Sequence, residues 1–349
     1  MNELKKILMV FGTRPEAIKM APLFHELNKH KSNFKVSVCV TGQHKEMLDQ
    51  VLSTFQIIPD FDLNLMKDGQ DLFDLSSSTL LAMRDVIKKE NPQLILVHGD
   101  TTTSNIAATS SFYLDIPIGH VEAGLRTCDL KSPFPEEFNR QLISMIADFH
   151  FAPTEKSRTN LEKEGVKANS IFVTGNTVID ALFWILNKIS NDKKLEQDIT
   201  NNINKYLNFD WLNDNFILIT GHRRESFGEG FENICKAIKE LSEKYKNIKF
   251  VYPVHLNPNV QKPVKKILSN LENVYLIDPL EYESFVYLMK ASYLIFTDSG
   301  GIQEEAPSLG KPVIVMRNST ERPEAVEAGT VKLAGNKKEA IVESISNLI

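Results

Sequence analysis

Short apolar runs punctuate this chain at intervals, and the stretches between them repeat their apolar residues at helical spacing. Residues 6–11 (KILMVF), 35–40 (KVSVCV), 94–97 (LILV), 116–121 (IPIGHV), 149–152 (FHFA) and 171–173 (IFV) have the length and composition of strands. Helical patterns fill the gaps at 45–55, 71–90 and 104–114. Ahead of them, Ile18, Ala21, Leu23 and Leu27 lie on one face of a helix opened by Pro15 and Glu16. Strands alternating with helices of this size predict a parallel, doubly wound sheet, which binds ligands at the carboxyl ends of its strands. Residues 56–69, with Pro59, aspartates and Gly69, read as a mobile surface loop. After a helix at 178–189 comes a charged, asparagine-rich stretch, 190–208, with the weakest core signal in the chain. The strand pattern then restarts at 216–220 (FILIT), 249–253 (KFVYP), 274–277 (VYLI), 293–297 (YLIFT) and 312–316 (PVIVM).

Length turns this repetition into a domain count. A chain of 349 residues exceeds the roughly 250–300 residues that one hydrophobic core serves. The expected fold class is therefore α/β, with two Rossmann-like doubly wound domains facing each other across a cleft. The boundary is expected near Gly175, giving domains 1–175 and 176–349. A formal charge of −5, with Lys and Arg scattered, offers no basic field for nucleic acid. Cys39, Cys128 and Cys235 are too far apart for a disulfide framework or a metal site and read as reduced thiols. The first apolar run is broken by Thr13, Arg14 and Pro15 too early for a signal peptide, and no run approaches a membrane span. A cytoplasmic protein is the expectation.

Candidate chemistry lies in the loops that follow the strands. The first loop carries Arg14, with Lys19 about a turn later; the loop at 98–103 (HGDTTT) carries Asp100; and the loop after 121 begins with Glu122. Glu136 opens the next helix, and Arg140 follows one turn on. From the second half come His222, Arg223 and His255, with the turn Ser299-Gly300-Gly301 between a strand and a helix start. Unpaired N–H groups at such a turn suit an anion, and Glu304 or Glu305 in the first helical turn could accept from a ribose diol. No G-x-G-x-x-G fingerprint follows the first strand and no P-loop is present, so a redox cofactor is not indicated. A nucleoside diphosphate carrying a group worked on by acids is the reading the residues support.

The motifs GTRPEAIKMAPL, HGDTTTS, HVEAGLRT, SPFPEEFNR, VTGNTVIDAL, GHRRESFG, YPVHLNPNV and TDSGGIQEEAPSLGKPV occur in this order along nearly the whole chain. Together they resemble the non-hydrolysing UDP-N-acetylglucosamine 2-epimerases. The resemblance implies the GT-B fold, no cofactor and no metal. It implies interconversion of UDP-GlcNAc and UDP-ManNAc through 2-acetamidoglucal, supplying units for cell-surface polysaccharide. By the same resemblance Arg14 and Lys19 meet the diphosphate, Ser299, Gly300 and Gly301 hold phosphate, and Glu305 holds the ribose. Leu280 and Phe285 would contact uracil, Arg322 another part of the nucleotide, and Arg140 belongs to the substrate-binding set. Asp100, Glu122 and Glu136 stand as the acid–base set, with His222 as donor to the departing UDP. Gln43, His44 and His255 are candidates for a regulatory site taking a second UDP-GlcNAc, and a homodimer is expected. A hydrolysing 2-epimerase, an epimerase for a related UDP-2-acetamido sugar and a GT-B glycosyltransferase remain the alternatives.

Overall fold

The structure, a computed structural model, describes residues 4–42, 45–67, 69–223, 227–320 and 322–349. It divides into two compact units, Met1–Ala181 and Leu182–Ile349. In the first unit β1 (Lys5–Phe11) leads into α1 (Arg14–Lys29), β2 (Phe34–Val40) into α2 (Lys45–Thr54), and β3 (Phe61–Asp62) into α3 (Leu72–Glu90). Then follow β4 (Leu94–His98), α4 (Thr102–Tyr113), β5 (Ile118–Val121), α5 (Glu136–Ile146), β6 (Phe149–Ala152), α6 (Glu155–Lys163) and β7 (Ile171–Val173). α7 (Thr177–Asn191) runs unbroken through the point where the units divide, so the division falls inside a helix rather than at Gly175.

The seven strands pair in parallel in the order β3-β2-β1-β4-β5-β6-β7. This is the doubly wound order, and its switch point lies between β1 and β4, where the first and fourth loops diverge and leave a ligand crevice. Ile7 to Phe11 are all buried, because helices cover both faces of a parallel sheet; the strand is therefore a continuous apolar run without alternation. Within residues 56–67, expected to be a loop, the chain forms a short strand. Asp60 accepts from the Val38 N–H at 2.8 Å, and Phe61–Asp62 add an edge strand against Cys39 and Val40.

The second unit repeats the plan. After α8 (Lys193–Asn204) come β8 (Phe216–Thr220), α9 (Glu229–Lys244), β9 (Lys249–Pro253), α10 (Pro258–Leu268), β10 (Val274–Ile277) and α11 (Tyr282–Ala291). β11 (Leu294–Thr297), α12 (Ile302–Ser308), β12 (Val313–Val315), α13 (Pro323–Glu327), β13 (Val331–Leu333) and α14 (Lys338–Ser346) complete it. The strand order β10-β9-β8-β11-β12-β13 puts a second switch point between β8 and β11. The weak-core stretch after α7 forms α8: Asp192 caps it through the Lys194 and Leu195 N–H groups, and Ile199 and Ile203 are buried. Ile341 and Ile345 of α14 join the core beneath α9. Cys39 and Cys235 are buried, and burial pushes both thiols up to about 12, so they act as packing groups. No helix among the described residues is long and apolar enough to cross a membrane.

Candidate active site

In the first domain one carboxylate fastens the two loops at the switch point. Glu16, in the first turn of α1, accepts from the Gly12 N–H (3.1 Å), the Thr13 N–H (2.8 Å) and the Thr13 hydroxyl (2.7 Å) on one oxygen. Its other oxygen accepts from the hydroxyls of Thr101 (2.7 Å), the N-cap of α4, and Ser104 (2.8 Å), in the first turn of α4. Burial pushes its pKa up, and these donors oppose the shift. Thr13 and Glu16 form a capping box, a pattern legible as T-x-x-E, but its reach to the second loop has no sequence signal. The clasp sets the start of α1, where Arg14 stands partly buried, and the loop that ends in Asp100.

Around that clasp the structure gathers four of the expected residues. Lys19 is ion-paired with Glu122, and Asn176 donates to the same Glu122 oxygen at 2.7 Å. Glu122 has a φ of 62°, a left-handed conformation that costs a non-glycine residue on the order of 1–3 kcal/mol. Gly99 lies against its carboxylate, and the Gly99 carbonyl lies 2.7 Å from His120 Nε2. Arg140 donates to Asp100 through Nε (2.9 Å) and Nη2 (2.6 Å) while its Nη1 donates to Glu137 (2.8 Å). Arg140 is thus engaged as the partner of Asp100. Burial raises the Asp100 pKa; Arg140 pulls it down, and the charge of Glu122 pushes it up. Glu136 stands one turn before Arg140 on the same face of α5. One of its oxygens is buried with no hydrogen-bond partner, which is costly in a merely structural carboxylate.

The neighbouring Glu137 is a different kind of residue. It accepts from the Thr127 and Cys128 N–H groups, Gln141 and Arg140. Burial alone would raise its pKa, yet these donors hold it below the usual range. It anchors the loop that carries Glu122 into α5.

The second domain supplies a separate group. Gly301 caps α12 with helical backbone angles, φ −63° and ψ −42°, so no left-handed turn requires glycine there. A side chain at Gly301 would meet only Glu305, at ordinary contact distance. Glu305 is buried and accepts from the Tyr282 hydroxyl at 3.1 Å, which links it to α11, where Phe285 is half-buried just after the buried Leu280. Ser299 donates its N–H to Thr297, and Arg322 pairs with Glu304 at 3.0 Å. At the neighbouring switch point the His222 and Arg223 N–H groups donate to Asp298 Oδ2 at 2.7 and 2.8 Å. The His222 ring stacks on His255 with centroids 5.2 Å apart. His255 accepts from the Asn257 N–H at 3.1 Å, and burial, with the His222 charge beside it, keeps its pKa low. Gln43 and His44, the other regulatory candidates, lie outside the described residues. Asp298, Glu16 and Tyr282 are the organising residues that sequence reading missed.

Two doubly wound domains, with acids and cations at the strand ends of one and a glycine-started helix in the other, define a GT-B protein built for a nucleotide-linked substrate. The family model described as UDP-N-acetylglucosamine 2-epimerase matches residues 25–349. The chain is 57% identical over 350 residues to the UDP-N-acetylglucosamine 2-epimerase of Campylobacter jejuni, covering 99% of this chain and 90% of that protein. The crystal structure of the Neisseria meningitidis UDP-GlcNAc 2-epimerase bound to UDP-GlcNAc aligns with a TM-score of 0.90 and 52% identity, over 98% of this chain and 91% of that one. The Methanocaldococcus jannaschii enzyme, in complex with UDP-GlcNAc and UDP, aligns with a TM-score of 0.83 and 33% identity, over 98% of this chain and 92% of that one. The chain belongs to the UDP-N-acetylglucosamine 2-epimerase family.

Proposed function

We propose that this protein is a non-hydrolysing 2-epimerase that interconverts UDP-GlcNAc and UDP-ManNAc by expelling and re-adding UDP. The observation that carries the reading is the carboxyl set at the strand ends of the first domain, Asp100, Glu122 and Glu136, in a chain of this family. The C2 hydrogen of the sugar lies beside no carbonyl, so a base cannot simply remove and return it. Taking that proton while the C1–O bond to UDP breaks forms the C1=C2 bond of 2-acetamidoglucal. Returning a proton to the other face of C2, with UDP oxygen rejoining C1, gives the epimer. The cycle is redox-neutral and needs acid–base groups and a stabilised leaving group.

The residues divide between these tasks. Asp100, held against Arg140, and Glu122, held against Lys19, are the carboxyl groups that take and return the C2 proton. Glu136 brings a buried oxygen without a partner to the same set. In the second domain Ser299, Gly300 and Gly301 hold phosphate, and the missing side chain at Gly301, which the backbone does not require, leaves room for its oxygens. Glu305 receives the ribose, Leu280 and Phe285 the base, and His222 serves the departing UDP. Arg14, Lys19 and Arg322 supply charge for the nucleotide. The protein acts as a homodimer, for which the exposed Leu81, Phe112 and Tyr113 of α3 and α4 offer apolar surface. A second UDP-GlcNAc activates it, with His255, stacked on His222, as the described residue it meets.

Incubation with UDP-GlcNAc in D2O tests the reading: UDP-ManNAc carrying deuterium at C2 is expected by NMR. Epimer free of solvent deuterium removes the elimination route, and free ManNAc as sole product makes the protein a hydrolysing 2-epimerase.

A further inference from the structure

Asp298 has a fully buried side chain, and only one of its two oxygens has hydrogen-bond partners. Oδ2 accepts the His222 and Arg223 N–H groups at 2.7 and 2.8 Å. Oδ1 is buried without a hydrogen bond, and the titratable nitrogen facing it is His222 Nδ1, 3.7 Å away. Leaving half of a buried carboxylate unpaired is expensive, and a purely structural anchor for the loop would need only the half that is satisfied. The surroundings hold the geometry in place. Thr220 and Thr297, on neighbouring strands, join hydroxyls at 2.6 Å; the Asp298 N–H donates to the Thr220 carbonyl at 3.1 Å; and Tyr252 donates to the Gly221 carbonyl at 2.8 Å. His222 is meanwhile half-exposed, with its other face stacked on His255. A carboxylate sunk behind an accessible imidazole is an arrangement that selects one ring tautomer, and such contacts commonly tighten only when substrate is bound.

We propose that Asp298 is a positioning residue for His222: Oδ2 pins the backbone of the loop, and Oδ1 holds the ring with its proton on Nδ1, so that Nε2 meets the UDP oxygen. This rests on the reading in which His222 serves the departing UDP. In that step the imidazolium gives its Nε2 proton to the phosphate oxygen as C1–O breaks, the Nδ1 proton stays on the ring against Asp298, and the Nε2 proton returns on re-addition. His255 keeps its Nδ1 turned to the Asn257 N–H, so it does not compete for Asp298.

The exchange Asp298→Asn separates anchoring from tautomer control. The amide oxygen still accepts both backbone N–H groups, while the amide NH2 meets Nδ1 and forces the proton to Nε2. D298N should therefore lower kcat for epimerisation by roughly 100- to 10,000-fold while KM for UDP-GlcNAc stays within about threefold. In the His222→Asn background the same exchange should cost nothing more, because both changes remove one unit. Losses that multiply in the double variant, or an unchanged kcat in D298N, overturn the proposal. A second readout needs no variant of Asp298. With 15N-histidine in the wild-type protein, and His222→Asn used to assign the signal, neutral His222 should carry its proton on Nδ1. The Nε2–H tautomer refutes the pairing whatever D298N does. Should His222→Asn retain full kcat, the role of His222 fails, and the tautomer still decides whether Asp298 holds the ring.

Discussion

Arg140 divides its guanidinium between two carboxylates that do different work. Toward Glu137 it completes a set of donors that fixes a loop; toward Asp100 it tempers a carboxyl whose pKa burial has raised. Removing the guanidinium takes away the interaction that favours ionised Asp100, so its pKa moves further up. Arg140→Gln should shift the acidic limb of the kcat/KM profile to higher pH and cut activity near neutrality by roughly tenfold or more. A limb that stays in place while activity falls would show that another group titrates there. The two adjacent glutamates mark what was legible residue by residue. Sequence singled out Glu136 through its motif, and the structure gives it a buried, unpartnered oxygen. Glu137 carries no sequence mark of its role and Glu16 shows only its capping box, because their other partners fall outside any local pattern, Glu137's at Thr127 and Glu16's at Thr101 and Ser104.

At the scale of elements, the strands most plainly legible from sequence were those buried on both faces, β1, β4, β8 and β11, since a parallel sheet covered by helices needs continuous apolar runs; β2, β5, β6, β7, β9, β10 and β12 were read from shorter or less regular runs. The short edge strands β3 (FD) and β13 (VKL) were not, as a charged residue breaks the apolar run in each. α8 was hidden by its charge; it is exposed along most of its length and buries only Ile199 and Ile203. His98, His120 and His150 end or cross β4, β5 and β6 as neighbours in the sheet, and all three are buried. Burial drives His98 to about 4 and His120 to about 3, and lowers His150. The unfolded chain, with histidines near their ordinary value of 6.5, binds more protons than the folded one below that pH. Stability of this domain is therefore full above about pH 6.5 and falls as pH drops toward the folded values, by up to about 1.4 kcal/mol per pH unit for each histidine. Hydrogen exchange of β4–β6 peptides at pH 7.5 and 5.5, corrected for intrinsic rate, should show protection lost at the lower pH. Equal protection at both would mean that the ring nitrogens are not held neutral.

The two compact units carry different parts of the proposed cycle. Glu136 belongs to the first, with Asp100, Glu122 and Lys19; Ser299, Gly301, Glu305 and Tyr282 belong to the second. If the first works on the sugar and the second holds UDP, their defects should separate. Glu136→Gln keeps the size of the side chain and removes only its ionisation, so it should lower kcat by roughly 100-fold or more while UDP affinity stays within about twofold. Glu305→Gln weakens a buried acceptor that also takes the Tyr282 hydroxyl, so it should reduce UDP affinity by roughly tenfold or more, the loss expected when a hydrogen bond to a charged group is weakened. Isothermal calorimetry with UDP and single-turnover epimerisation read the two quantities independently. UDP binding lost in Glu136→Gln to the same extent as turnover would make Glu136 a structural residue of the nucleotide site. Full UDP affinity in Glu305→Gln would move the ribose contact elsewhere and leave Glu305 as the anchor of Tyr282 and α11.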